Sequence, residues 1–105
     1  MDEHDVFFRL YVAGQLPNSQ RALANLTEFC RQHLAGRHRI EVVDVFEDPD
    51  RALADNVLLT PALVIGAPLS PRTIVGDLSD AAILLRVLHR EIDQDGARRD
   101  LVPQP

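Results

Sequence analysis

The chain has 105 residues, of which 46 % are hydrophobic and 26 % are charged, the balance of one ordinary globular domain. Its formal net charge of −5 argues against a dedicated nucleic-acid binder, which needs a basic field. One cysteine rules out an intramolecular disulfide, and no apolar run approaches the roughly 20 residues that span a bilayer. The acidic first residues are unlike a signal peptide. These features predict a soluble, cytoplasmic protein.

A strand and a long helix open the chain. Alternating side chains predict a strand over residues 6–12, apolar enough on both faces to be a central strand. An apolar stripe at three- and four-residue spacing predicts a helix over residues 19–35. Asn18 or Ser19 would cap this helix by accepting a backbone N–H bond. Cys30 lies on the apolar stripe in mid-helix, which predicts a buried packing role.

A second strand and a short helix follow. β-branched residues predict the strand over residues 39–45, and it should run parallel to the first because a helix connects the two. Asp48 would cap a helix over residues 49–55, since the proline that comes next fits the first helical position. Leu53 is the predicted apolar anchor of that helix.

The third strand begins at a proline. Pro61 lacks the amide that a central strand needs, so it fits best as the first residue of a strand over residues 61–65, at a bond that adopts cis more readily than others. Leu58 and Leu59, just before it, are predicted core residues. A six-residue link then leads to a fourth, antiparallel edge strand over residues 72–75.

The chain closes with a helix and a polar tail. Ser79 is the predicted cap of a helix that runs to about residue 92. From there the sequence turns polar and contains glycine and proline, which predicts a frayed, disordered tail. The predicted organisation is therefore a single domain over residues 1–94 and a tail over residues 95–105.

This order, β-α-β-α-β-β-α with a four-stranded mixed sheet and helices on both faces, predicts an α/β fold of the thioredoxin-like type. A redox thioredoxin carries a reactive cysteine where its first helix begins, because the helix dipole lowers the thiol pKa there. This chain has no cysteine at that point, which excludes dithiol chemistry. Ser19 remains an alternative candidate as a glutathione-activating hydroxyl of a transferase-type enzyme. The four histidines show no metal-ligand spacing, and no cofactor is predicted.

Four motifs occur in order over roughly residues 7–92. They are Leu10-Tyr11-Val12-Ala13-Gly14 followed by Pro17-Asn18-Ser19, Val43-Asp44-Val45 with Asp48-Pro49, Leu59-Thr60-Pro61-Ala62-Leu63, and Ile74-Val75-Gly76-Asp77-Leu78-Ser79. Together they resemble the KaiB family of circadian-clock proteins. The resemblance implies a non-enzymatic regulator that binds the ring-forming ATPase KaiC and helps to sequester its activator KaiA. The N-terminal domain of the kinase SasA is related to the same family.

The resemblance also implies where partners bind. The family meets KaiC with the region of the second helix, so the implied contact residues are Glu47, Asp50, Arg51, Asp55 and Asn56. The exposed edge of the second strand, around Arg39 and Glu41, is a candidate for strand addition by another partner.

The second helix departs from the family pattern. A family lysine aligns with Asn56, and acidic residues align with Leu53 and Ala54. These departures favour a divergent member with a changed partner. A stress or signalling adaptor of the same family is the alternative function.

The family is metamorphic: a tetrameric ground-state fold interconverts with a monomeric thioredoxin-like fold that binds KaiC. The candidate residues for this switch, including the cis-proline candidate, are Pro61, Pro68, Pro71, Val87 and His89. A family glycine and aspartate align with Val87 and His89. Because glycine costs about 1 kcal/mol in a helix interior, its replacement favours one long C-terminal helix. The expected state is a monomer with the thioredoxin-like fold, with the homotetrameric ground state as the alternative.

Overall fold

The computed structural model describes residues 5–66 and 71–88. Its elements are β1 (Val6–Val12), α1 (Pro17–His33), β2 (His38–Asp44), α2 (Pro49–Ala54), β3 (Ala62–Ile65), β4 (Arg72–Val75) and α3, whose described part covers 81–88. The predicted order is confirmed. The bounds of β1 and β4 agree with prediction, and those of α1, β2, α2 and β3 differ by one or two residues. Pro68, His89, the predicted helix end and the predicted tail lie outside the described residues.

The sheet has the strand order β2-β1-β3-β4. β1 and β2 are parallel and β3 and β4 are antiparallel, both as predicted, and β3 is also antiparallel to β1. β2 and β4 are therefore the two edges. The carboxyl ends of β1, β2 and β4 and the start of β3 come together at one end of the sheet, which we call the loop end. Its loops cover residues 13–16, 45–48, 55–61 and 76–80.

The two faces of the sheet carry cores of different size. On one face, alternate side chains of β1 pack with α1 and α3; this larger cluster includes Phe8, Leu10, Leu26, Phe29, Cys30, Leu63, Ile65 and Leu84. On the other face, the buried residues beneath α2 form a smaller cluster: Tyr11, Val43, Ala52, Val57 and Ala62. Most of the apolar burial, and hence most of the hydrophobic stabilisation, lies on the α1 face.

The predicted helix caps of α1 and α3 are wrong, whereas Asp48 occupies the predicted N-cap position of α2. α1 begins at Pro17 without a side-chain cap, because proline supplies the helical φ and has no N–H to satisfy. Ser19 lies inside the helix and its Oγ accepts the N–H of Ala13 at 2.9 Å. Asp48 precedes α2 but makes no capping bond. At α3 the cap is Asp80, whose Oδ1 accepts the Ala82 N–H at 3.0 Å.

The end of α2 decides which of the following side chains are buried. Asn56 adopts a left-handed conformation with φ 58°, which asparagine tolerates better than most residues. The Asn56 N–H donates to the Leu53 oxygen at 3.0 Å, and the Val57 N–H donates to the Ala52 oxygen at 2.8 Å, the two bonds of a Schellman motif. This turn packs Val57 beneath the helix.

Three leucines expected inside are consequently outside. Leu53, the predicted anchor of α2, is exposed, and Ala52 is the buried residue instead. Leu58 and Leu59, predicted to be core residues, are 86 % and 66 % exposed. The prediction was wrong because it assumed that apolar residues before a buried strand point inward, whereas the turn at Asn56 leaves them on the surface.

Candidate partner-binding surface

Exposed apolar side chains concentrate at the loop end. Among the described residues, nine large apolar side chains are exposed, and five of them lie there: Leu16, Phe46, Leu58, Leu59 and Val75. We call these five the apolar rim. Leu53, on the neighbouring α2, is exposed as well. Because clustered exposed apolar surface marks interaction sites in proteins, the loop end is the candidate surface for a partner.

A groove gives this surface depth. It has a volume of about 370 Å³ and runs between the start of α1 and the segment that enters β3; its lining includes Ala13, Leu16, Pro17, Arg21, Thr60 and Pro61. The Thr60–Pro61 peptide bond is cis. Nearby, Phe46 lies 3.4 Å from where a Cβ on Gly14 would stand, and Gly14 has φ 55°. A side chain at Gly14 would therefore press on the exposed ring of Phe46.

The groups that enzymes of this architecture use are not presented at the surface. Cys30 is fully buried on the α1 face, and burial raises the pKa of its thiol to about 12. Ser19, the candidate glutathione-activating hydroxyl, is 2 % exposed and bonded to the Ala13 N–H. Within residues 5–66 and 71–88, no group of His, Cys, Asp or Glu is placed to hold a metal ion. Among the described residues, the two groups considered for catalysis are therefore buried, and the loop end exposes apolar side chains.

The predicted contact residues fall into two sets. Arg39, Glu47, Asp50 and Asn56 are exposed, so a partner can reach them. Glu41, Arg51 and Asp55 are partly buried and bond within the protein. With Arg9 and Tyr11 they form what we call the polar cluster (Arg9, Tyr11, Glu41, Arg51 and Asp55), between the sheet and α2.

Short bonds connect every member of the polar cluster. Glu41 Oε1 accepts from Arg9 Nε and from an Arg51 guanidinium nitrogen, each at 2.8 Å. Asp55 Oδ2 accepts from the other side of the Arg9 guanidinium at 3.1 Å and from the Tyr11 hydroxyl at 2.5 Å. The Tyr11 hydroxyl also lies 3.0 Å from the backbone oxygen of Arg51. Two strands and α2 are thereby linked through five side chains.

These bonds shift the ionisation of the cluster. Hydrogen bonds from Arg51 and then Arg9 lower the pKa of the Glu41 carboxyl to about 2. The hydroxyl of Tyr11 and the guanidinium of Arg9 similarly hold the pKa of Asp55 below its usual value. Burial, followed by the bond to Asp55, raises the pKa of Tyr11 to about 12. The cluster therefore keeps two carboxylates ionised and the phenol neutral over the whole physiological pH range.

The roles of Arg9 and Tyr11 are only partly indicated by the sequence. Both lie on the β1 face opposite Phe8, and a charged residue beside a tyrosine on a central strand requires polar partners. Those partners come from the register that sets Arg9 opposite Glu41, and from α2, which presents Arg51 and Asp55 on one helical face. Neither the register nor the rotation of α2 follows from periodicity.

The fold-switch candidates are dispersed. Pro61 enters β3 after the cis bond, and Pro71 is exposed immediately before β4. Val87 lies in α3 and packs against the larger core. A long C-terminal helix was expected, and residues 81–88 are helical.

None of the described helices is long and apolar enough to cross a bilayer.

Comparison with solved structures places the architecture among the thioredoxin-like folds. The solution structure of the N-terminal domain of SasA from Synechococcus elongatus superposes with a TM-score of 0.69 at 21 % identity, covering 82 % of this chain and 84 % of that one. Mitochondrial thioredoxin 3 from Saccharomyces cerevisiae superposes with a TM-score of 0.66 at 21 % identity, covering 81 % and 78 %. At these identities the likeness is one of fold.

Comparison of sequences gives the family. A family model described as the KaiB domain matches residues 9–90. The circadian clock oscillator protein KaiB of Trichodesmium erythraeum is 42 % identical over 90 residues, covering 83 % of this chain and 86 % of that protein. The circadian clock protein KaiB3 of a Synechocystis species is 34 % identical over 85 residues, covering 81 % and 83 %. The chain belongs to the KaiB family.

Proposed function

We propose that this chain is a non-enzymatic clock regulator that binds a KaiC-type ATPase through protein–protein contacts at the loop end. The observation that carries the proposal is the concentration of exposed apolar side chains on the apolar rim, next to α2, in a member of a family of clock proteins. Leu58 and Leu59 would supply apolar contact area, and Glu47 and Asp50 on either side of the start of α2 would orient the partner by charge.

The edge of β2 is the proposed site for a second partner of the KaiA or SasA type. Among the strands of residues 5–66 and 71–88, β2 pairs with β1 alone, and its other side is the proposed place for an added strand. Arg39 is exposed on this edge. Arg39→Asp should weaken a partner that docks here and leave binding at the loop end unchanged.

We also propose that the chain binds as a cytoplasmic monomer in the thioredoxin-like fold and that fold switching involves Pro71, Val87 and the segment around Pro61. Backbone NMR at two protein concentrations tests this part. One set of peaks with helical shifts over residues 81–88, unchanged by dilution, supports a chain committed to this fold. Strand shifts over the same residues, growing with concentration, would favour the tetrameric alternative.

The deciding experiment for the main proposal is direct binding. The purified chain is mixed with a purified KaiC-type ATPase encoded in the same genome, in ATP and in ADP, and the mixture is separated by size-exclusion chromatography. We expect co-elution in at least one nucleotide state. Absence of binding in both states overturns the proposal and would favour the stress or signalling adaptor, for which the exposed leucines would serve another protein.

A further inference from the structure

α2 makes little apolar contact with the rest of the protein, although it carries part of the proposed binding surface. It has six residues, and Ala52 is the buried one among them. An alanine side chain buries a single methyl group, so apolar packing at Ala52 alone cannot fix the rotation of the helix. Short helices are not stable on their own in water, and their position must come from tertiary contacts. Leu53, Leu58 and Leu59 all depend on where this helix lies.

The polar cluster supplies the missing contacts. Arg51 and Asp55 are four residues apart, so they project from one face of α2. Arg51 reaches Glu41 on β2, and Asp55 reaches both Arg9 and Tyr11 on β1. The helix is therefore attached to two strands at points one turn apart, which sets both its position and its rotation.

We propose that the polar cluster is a positioning device for residues 49–59, which we call the α2 segment. Glu41, Arg51 and Asp55, implied by family resemblance as partner contacts, act on affinity by holding Leu53, Leu58 and Leu59 in one arrangement. Tyr11 and Arg9 belong to the same device although a partner cannot reach the buried Tyr11 ring. The part of this inference that concerns affinity rests on the proposed function; the part that concerns the α2 segment does not.

A positioning role differs from a general stabilising role in what its loss would disturb. The ion-pair side chains of the cluster are between 27 % and 38 % exposed, and pairs of that kind contribute little to global stability. The larger core on the α1 face contains none of them. Breaking the cluster should therefore loosen the α2 segment and leave the sheet and α1 intact.

Amide hydrogen exchange separates these two roles without any partner. Glu41→Gln removes the negative charge to which both arginines bond, and Tyr11→Phe removes the hydroxyl that donates to Asp55. Both substitutions keep side-chain size, and Arg39→Gln is the matched control on β2. We expect the Asn56 and Val57 amides, which close α2, to exchange about five-fold faster in both variants, the effect of losing one charge-assisted bond. Amides of β1 and β3 should not change. Equal acceleration throughout the chain, or none at Val57, overturns the proposal.

Affinity for the KaiC-type ATPase then tests how the cluster acts. Glu41→Gln and Arg51→Met should each weaken binding about five-fold, and the double variant should be no weaker than either, because both remove the same constraint. Additive losses would show direct contacts and overturn the positioning role. Failure of the wild-type chain to bind would refute the proposed function, while hydrogen exchange would still decide whether the cluster positions the α2 segment.

Discussion

Replacing Leu58 by serine should weaken partner binding strongly and leave stability almost unchanged. Leu58 is the most exposed of the large apolar side chains in the described residues, at 86 %. Complete burial of a leucine is worth about 1.5–3 kcal/mol, so covering the 86 % that is exposed would contribute about 1.3–2.6 kcal/mol. That free energy corresponds to a loss of affinity between about 9-fold and 80-fold.

The high exposure of Leu58 also predicts that the substitution has little effect on the stability of the free protein. A side chain with this exposure makes few contacts in the free protein, so Leu58→Ser should change the free energy of unfolding by less than about 0.5 kcal/mol. Urea unfolding followed by circular dichroism measures that change, and titration calorimetry with the KaiC-type ATPase measures the affinity.

The control is Leu23→Ser, the same substitution on α1. Leu23 is 37 % exposed and is not part of the apolar rim, so this variant should lose much less affinity for the ATPase than Leu58→Ser does. Provided that the wild-type chain binds, the reasoning would be refuted by a folded Leu58→Ser variant with unchanged affinity or by equal losses of affinity for the two variants. Each of these results would place the partner away from the apolar rim.

Four further predictions concern the free protein. Because the pKa of Glu41 is lowered from 4.5 to about 2 in the folded state, the stability that it contributes is present above pH 4.5 and lost as pH falls towards 2. After allowance for solvent screening this loss is about 0.3 kcal/mol of global stability, and Glu41→Gln should remove it from a urea-unfolding series. Tyr11 is the one tyrosine, so ultraviolet absorbance should show a single phenol that ionises near pH 12, and Asp55→Asn should lower that pKa. The Cys30 thiol, with its pKa raised to about 12, should react with a disulfide reagent only upon unfolding. Asn56→Ala should cost about 1 kcal/mol in urea unfolding, because asparagine tolerates the left-handed backbone at this position better than alanine does, whereas Asn56→Gly should not, because glycine has no Cβ.

The main elements could be predicted because each depends on a short local pattern. β1 alternates between buried and half-buried side chains over its first five residues, α1 carries a continuous apolar stripe, and the helix between β1 and β2 requires a parallel pair. Pro61 could be placed at a strand entry because proline lacks an amide. In each case the signal comes from elements that are consecutive along the chain, and no long-range contact has to be known.

The α2 segment could not be predicted because its outcome depends on one backbone angle. Residues 52–59 contain apolar side chains without a clear period. Their apolar character alone therefore predicts that Leu53, Leu58 and Leu59 are buried. The left-handed turn at Asn56 buries Ala52 and Val57 instead. Asparagine after a short helix is a recognised stop signal, and Asn56 is therefore the local feature that indicates this turn.

The contacts of the polar cluster could not be predicted from the sequence for a different reason. Its five residues come from β1, β2 and α2, and they meet only through the strand register and the rotation of α2. The strand register and the rotation of α2 bring three of the seven predicted contact residues into bonds within the protein. Their charged groups are therefore less available to a partner. What remains for recognition is the exposed leucines and the acidic start of α2. The two faces of the sheet thus have different roles. The α1 face supplies stability through apolar burial. On the α2 face, hydrogen bonds position the α2 segment, because they are directional and can define an orientation that a single buried alanine cannot.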